Sequence, residues 1–238
     1  WIGARTKTLR LGTAVMVLPW HNPVLLAEQI ATLDLLSDGR VDAGIGKGYR
    51  QREFEGFSVP FEEADARFEE CLDVMVKAWT HDIPWSHKGT YWQYDEIVVE
   101  PPSVQKPHPK LWMGAGSPRS VTQVAKYGFD MLLGQYDSFD NIIQEIALFK
   151  SEVEARGRSY DPMSVGVARS VNIVDSQAEY DQAIDNRMVA RRRTQNLAQR
   201  PGFEDTREIA EHGTIYGSPE YVGEKMQELK DAGVEYVL

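Results

Sequence analysis

The chain has 238 residues, enough for a domain with a buried core. Its 36 acidic against 26 basic side chains give a formal net charge of −10, which excludes a general nucleic-acid or anionic-membrane surface, because both need a basic face. The single cysteine, Cys71, excludes an internal disulfide and sets a reducing, cytoplasmic compartment as the expectation.

The chain opens on the tail of a helix, Trp1 to Thr8. Leu9 to Leu18 is short and apolar, as a strand buried on both faces is. Pro19 and Trp20-His21-Asn22-Pro23 stop it, and Pro23 suits the first turn of a helix. That helix runs from Val24 to Leu36 with Leu26, Ile30 and Leu33 on one face, and Gly39 is its left-handed cap. Val41 to Gly46 is the next strand, parallel to the first, and it empties into Lys47-Gly48-Tyr49-Arg50. Phe61 to Trp79 is a helix with Phe61, Ala64, Phe68, Leu72, Met75 and Trp79 on one face, and Cys71 inside it reads as packing. Residues 80–109 are long for a connection and read as an insertion near the site, with Tyr91 to Val99 pairing as short strands.

Lys110 to Ala115 is a core strand, and Gly116-Ser117-Pro118-Arg119-Ser120 opens a helix to Tyr127. A strand over Phe129 to Gly134, a helix over Ser138 to Arg156 and a strand over Ser164 to Val174 follow. Gln177 to about Gln199 is polar and helical in type, and its Arg191-Arg192-Arg193 run reads as a solvated or salt-bridged face. Ser218 caps a last helix with Pro219 at its first position, and Val234 to Leu238 begins a final strand. Strands alternating with helices at about 30 residues per unit predict a β/α barrel. An open doubly wound sheet is the alternative, and it needs a reversal of strand order. No apolar run reaches the ~20 residues of a membrane helix.

In a barrel the sites lie at the carboxyl ends of the strands. Trp20-His21-Asn22, the Lys47 loop, the Gly116–Ser120 turn, Gln135-Tyr136 and Arg169-Ser170 all fall there. Most such clusters are what any turn contains. A helix start offers N–H groups to a phosphate, although Ser117 alone reads better as its own cap. Lys47 lies between Gly46 and Gly48, where backbone can approach a ligand, and the two loops together favour phosphate. The histidines show no metal-ligand spacing, so no metal is expected. His21, in the first strand-to-helix turn, is a weak catalytic candidate.

Leu11-Gly12-Thr13-Ala14-Val15, Leu18-Pro19, Asn22-Pro23, Ala27-Glu28-Gln29, Leu33 to Arg40 and Gly44-Ile45-Gly46-Lys47-Gly48 resemble the luciferase-like flavin-dependent monooxygenases. The resemblance continues through Glu53-Phe54, Phe61-Glu62-Glu63, Arg67 to Glu70 and Pro107 to Gly134. It fades between Asp175 and Thr214 and returns at Gly217 to Glu220. It implies a TIM-type (β/α)8 barrel, incomplete here. Residues 1–238 are then one partial domain, with two strands before Trp1 and a closing helix after Leu238. Trp1, which is not a start methionine, agrees with a chain that begins inside a longer protein.

By the resemblance Lys47 contacts the flavin phosphate, Gly116, Ser117 and Ser120 cradle it, and Ala14-Val15 is a cis peptide under the flavin ring. The histidine most tied to catalysis lies on a strand before Trp1, and the region after Gln177 is a mobile loop near the active site. The implied chemistry uses reduced FMN and O2 on a small apolar substrate of aldehyde, alkane or sulfonate type. A separate flavin reductase supplies the FMN, and the protein is a homo-oligomer. A deazaflavin-dependent hydride transferase and a non-catalytic flavin-binding protein are the alternatives.

Overall fold

The structure, a computed structural model, describes residues 1–198 and 206–238. The helix end expected at Gln199 lies outside them. The chain divides into two compact units, Trp1–Tyr49 with Glu53–Trp112, and Arg50–Arg52 with Met113–Leu238. Among the described residues no helix is long and apolar enough to cross a membrane.

The first unit begins with α1 (Ile2–Arg5), β1 (Leu11–Gly12) and β2 (Met16–Val17). The expected single strand is thus two short ones. Both run parallel to β3 (Val41–Gly46), with Leu11 beside Val41 and Met16 beside Ile45. Three residues, Thr13 to Val15, therefore lie opposite two, Ala43 and Gly44, as in a bulge. The Thr13 hydroxyl replaces the missing ladder, because Oγ1 donates to the Gly44 carbonyl and accepts from its N–H, both at 2.9 Å. Nor is the stretch buried on both faces. β1 is an edge strand, Leu11 is half-buried and Gly12 is exposed.

α2 (Pro23–Ser37) starts where Asn22 accepts the Leu25 N–H at 3.1 Å, with Pro23 at its first position. It ends on two left-handed residues, Asp38 (φ 58°) and Gly39 (φ 74°), rather than on the glycine alone. Leu26 and Ile30 are buried as expected, while Leu33 is 40% exposed. The inner face instead includes Asp34, fully buried. Its carboxylate accepts from the Gln105 backbone N–H (2.9 Å) and side-chain amide (2.7 Å), which pins the far end of the 80–109 segment. A shallow cleft of about 200 Å³ separates α2 from the sheet, lined by Leu11, Met16, Leu26, Ile30, Leu33 and Val41 among others.

α3 (Gln51–Gly56) follows, and then α4 (Ala64–Thr80), preceded by a 3-10 turn at Phe61–Glu63. α4 buries Phe68, Cys71, Leu72, Met75 and Trp79. Burial pushes the Cys71 thiol up to about 12, as suits a packing residue. The 80–109 segment carries an antiparallel hairpin of β4 (Trp85–Lys88) and β5 (Gln93–Ile97). The pairing starts earlier than Tyr91, because His87 pairs with Tyr94. Glu70 on α4 holds the hairpin. Its carboxylate accepts from the N–H groups of Thr90 (2.9 Å), Tyr91 (3.1 Å) and Trp92 (2.9 Å), and lies 3.2 Å from His87 Nε2. A Cβ at Gly89 would lie 1.8 Å from Glu70 Oε1, so only glycine lets the turn close on that carboxylate.

β6 (Lys110–Ala115) carries the chain into the second unit. There α5 (Pro118–Tyr127), β7 (Asp130–Leu133) and α6 (Phe139–Ala155) follow, with Gly128 (φ 80°) capping α5 and Ser138 capping α6. α6 buries Ile142, Ile146, Phe149 and Val153, with Ile143 half-buried. The strand expected over Ser164 to Val174 is two. β8 (Val165–Val167) is buried and pairs parallel with β7, while β9 (Ser170–Ile173) is largely exposed and pairs elsewhere. The break falls at Ala168 and Arg169, whose N–H groups donate to the carbonyls of Leu133 and Leu238, each at 3.0 Å. α7 (Gln177–Ala198) is a helix of 22 residues. α8 (Arg207–His212) and β10 (Thr214–Gly217), parallel to β9, were not legible in the sequence. α9 (Pro219–Asp231) starts on the Ser218 cap, and β11 (Tyr236–Val237) pairs parallel with β8.

Candidate functional site

In the first unit the expected residues gather where β1 gives way to β2 and where β3 ends. The Ala14–Val15 peptide is cis. Val15 packs against Gly46, where a Cβ would lie 2.7 Å from its Cγ2. Gly48 has φ +82°, and a Cβ there would lie 2.6 Å from Val17 Cγ1, so this loop is tight against β2. Lys47, between them, points outward and pairs with Asp65 in the first turn of α4, Nζ to Oδ1 2.8 Å. Both partners are well exposed, and such pairs contribute at most about 1 kcal/mol.

His21 follows the 3-10 turn at Leu18–Trp20. It is half-buried, and burial lowers its pKa, which favours the neutral imidazole at neutral pH. Beside it Trp20 stacks on Phe57 (centroids 4.9 Å) and meets the edge of Phe54 at 5.2 Å.

In the second unit Gly116, Ser117 and Ser120 come together at the start of α5. Ser117 caps the helix by accepting the Ser120 N–H at 3.3 Å. Ser120 Oγ accepts from the N–H groups of Gly116 (3.2 Å) and Ser117 (3.1 Å), which completes a capping box. The hydroxyls are exposed, and a Cβ at Gly116 would meet nothing within 4 Å. The turn is a helix cap that leaves its two hydroxyls and the space beside Gly116 open.

A third group includes Arg191 of the Arg191-Arg192-Arg193 run, which was expected as a solvated or salt-bridged face. Arg187 and Arg191 on α7 are 8% and 3% exposed, and Arg169, after β8, is 6% exposed. Arg192 and Arg193 are exposed, as expected. The guanidinium carbons of Arg187 and Arg191 lie 5.0 and 5.2 Å from the Tyr136 ring centre. Arg187 donates to the Gln135 side-chain oxygen (2.8 Å) and backbone carbonyl (2.7 Å). Arg169 donates to the carbonyls of Gly134 (3.1 Å) and Asp137 (2.9 Å) and lies 5.7 Å from the Phe139 ring centre. The available signal was Gln135-Tyr136 and Arg169 at strand ends, but nothing local tied them to Arg187. A neighbouring cleft of about 300 Å³ mixes Asp140 and Glu211 with His212 and Lys225, so its lining favours neither sign.

The fold is that of a known class. The chain superimposes on the monooxygenase RslO1 from Streptomyces bottropensis with a TM-score of 0.81, 23% identity, and coverage of 99% of this chain and 71% of that one. It also superimposes on an F420-dependent secondary alcohol dehydrogenase in complex with an F420-acetone adduct, with a TM-score of 0.78, 16% identity, and coverage of 98% and 73%. Parallel strands alternating with helices make this part of a TIM-type β/α barrel. The luciferase-like monooxygenase family model matches residues 1–236, and the chain belongs to that family. An uncharacterised Sinorhizobium fredii protein, y4vJ, is 32% identical over 82% of this chain and 56% of its own length. The oxygenase component of a flavin-dependent trigonelline monooxygenase from Acinetobacter baylyi is 25% identical over 74% and 49%. An FMNH(2)-dependent dimethylsulfone monooxygenase from Pseudomonas putida is 24% identical over 99% and 70%. The chain thus spans about half the length of the first two.

Proposed function

We propose that the protein is a flavin-dependent monooxygenase that uses reduced FMN and O2 on a small organic molecule, with a separate reductase supplying the flavin. The observation that carries this is the exposed Gly116–Ser120 turn within a chain that matches the family over 1–236. A phosphate fits such a turn. The two exposed hydroxyls, which now bond each other at 2.9 Å, would turn to the phosphate, the helix end is positive, and the space beside Gly116 is open. The bound flavin would supply the redox chemistry. Lys47 would give the phosphate its counter-charge, and exchanging Asp65 for it costs little. Ala14, Val15 and His21 belong to the same proposal, with the first two facing the flavin and His21 facing flavin or substrate. So do one barrel domain over 1–238, the 80–109 insertion at its active-site face, cytoplasmic residence and self-association. The relative named an oxygenase component supports the reductase.

Oxygen uptake with reduced FMN across aldehyde, alkane and sulfonate panels tests the activity in the complete protein. FMN binding without turnover leaves only the binding-protein reading. A second reading, deazaflavin-dependent hydride transfer, is favoured by the F420-dependent dehydrogenase among the structural neighbours. Titration with both cofactors decides, and preference for the deazaflavin overturns FMN. Lys47→Ala is expected to weaken FMN, but not riboflavin, by about 1.5–3 kcal/mol, the range of a charged hydrogen bond. Equal loss of both removes the lysine from the phosphate.

A further inference from the structure

The first turn of a helix leaves backbone N–H groups without partners inside the helix, and each needs an acceptor from elsewhere. In α2, Pro23 has no N–H to place, Leu25 donates to the Asn22 side chain (3.1 Å) and Leu26 to the Asn22 carbonyl (3.0 Å). The Val24 N–H remains, and it donates to the phenol oxygen of Tyr94 on β5. The same hydroxyl donates to Asn22 Oδ1 at 3.2 Å. Tyr94 is thus the distant half of the α2 cap, supplied by the β4–β5 hairpin. The hairpin is itself held from two sides. Glu70 binds the N–H groups of its turn, and the Tyr94 ring meets the edge of the buried Trp85, with centroids 6.4 Å apart.

The residue directly ahead of this cap is His21. Its own N–H donates to the Leu18 carbonyl at 3.0 Å, so its backbone is fixed on one side by the 3-10 turn and on the other by the Asn22 cap. The imidazole is half-buried, and burial is what lowers its pKa. A turn that loosened would let water reach the ring and reverse that effect. We propose that Tyr94 is a positioning residue for His21: one hydroxyl of the hairpin sets the turn that presents the imidazole beyond the carboxyl end of β2. That His21 there faces flavin or substrate rests on the flavin-dependent reading above, whereas the coupling of Tyr94 to His21 does not. A phenol suits the task because it donates and accepts on one rigid arm, and phenylalanine keeps the ring but does neither.

The test is NMR of the full chain, following the histidine ring signals from about pH 5 to 8, with His21→Gln to assign the His21 signal. In wild type the His21 midpoint is expected below 6.5. Tyr94→Phe should raise it toward 6.5, while Tyr91→Phe, on the same hairpin, should leave it in place. Asn22→Ser still caps Leu25 but draws its oxygen back from Tyr94, so it should move His21 in the same direction, and the double variant should add nothing. In the complete protein Tyr94→Phe should lower kcat about fivefold, the worth of one neutral hydrogen bond, with KM and FMN affinity held. An unmoved His21 midpoint in Tyr94→Phe with native circular dichroism overturns the proposal, and so does an equal shift in Tyr91→Phe. Should Tyr94→Phe fail to fold, the His21 midpoint in Asn22→Ser decides in the same way. A shifted midpoint with kcat unchanged overturns the positioning role in the reaction. A shifted midpoint in a protein that turns over no substrate supports the coupling and removes the function reading.

Discussion

At the scale of single residues, Glu70 shows how one half-buried carboxylate can hold a segment. Burial raises its pKa, but the donors at Trp92, Tyr91, His87 and Thr90 outweigh burial, and the net pKa falls below 4.5. A carboxyl with a depressed folded pKa contributes stability above its unfolded pKa and loses it as pH falls through the folded value. Glu70→Gln should therefore lower the melting temperature at pH 7, and the gap to wild type should close below about pH 4.5. A gap that stays constant down to pH 3 would assign the loss to packing rather than charge. Gly116→Ala is the complementary case. With open space at that Cβ, the melting temperature should hold while FMN binding weakens, provided the turn cradles the phosphate. Unchanged FMN affinity would remove Gly116 from the cradle.

At the scale of elements, what was legible in the sequence was local, and what was missed depends on contacts far along the chain. Asn22, Ser117 and Ser218 start helices because each side chain accepts a backbone N–H three residues on, inside its own turn. The split of residues 9–18 depends on the pairing of Thr13 with Gly44, and the burial of Arg187 depends on Gln135, 52 residues earlier. Neither partner is marked by periodicity. The same argument covers Leu33, which continues an apolar stripe but is displaced from the inner face by Asp34 and its bonds to Gln105. The β4–β5 hairpin invites a direct trial. Gly89→Ala places a methyl on the Glu70 carboxylate, so a loss on the order of 1–3 kcal/mol in urea unfolding is expected. Glu70→Gln and Gly89→Ala should be non-additive, because both act on one contact. Additive losses would separate the glycine from that carboxylate.

At the scale of the molecule, the family is carried by residues spread along the chain, while the charge balance is set by its surface. Apolar side chains are nonetheless exposed in the first unit, with Trp1 at 92%, Leu36 at 75%, Leu9 at 55% and Leu25 at 53%. Exposed apolar area favours association, even against a net charge of −10. Light scattering is expected to give a mass above the 27.0 kDa of one chain, more so in high salt, where like charges are screened. A stable monomer at high concentration in both low and high salt would count against self-association.

The extra residue between β1 and β2 also makes the length of this segment matter more than its composition. Side chains in a strand alternate, so inserting one residue changes the parity of everything on one side of it. Leu11 and Met16, an odd and an even position, consequently share the face that Val41 and Ala43 turn toward α2. In a gene scanned codon by codon, loss of a single triplet from Thr13 to Val15 would leave Leu11 and Met16 four steps apart, opposite Val41 and Ile45, which are also four apart. The segment would then pair as one regular strand with both side chains still on that face. Relatives one residue shorter here should therefore keep both apolar positions at the even spacing.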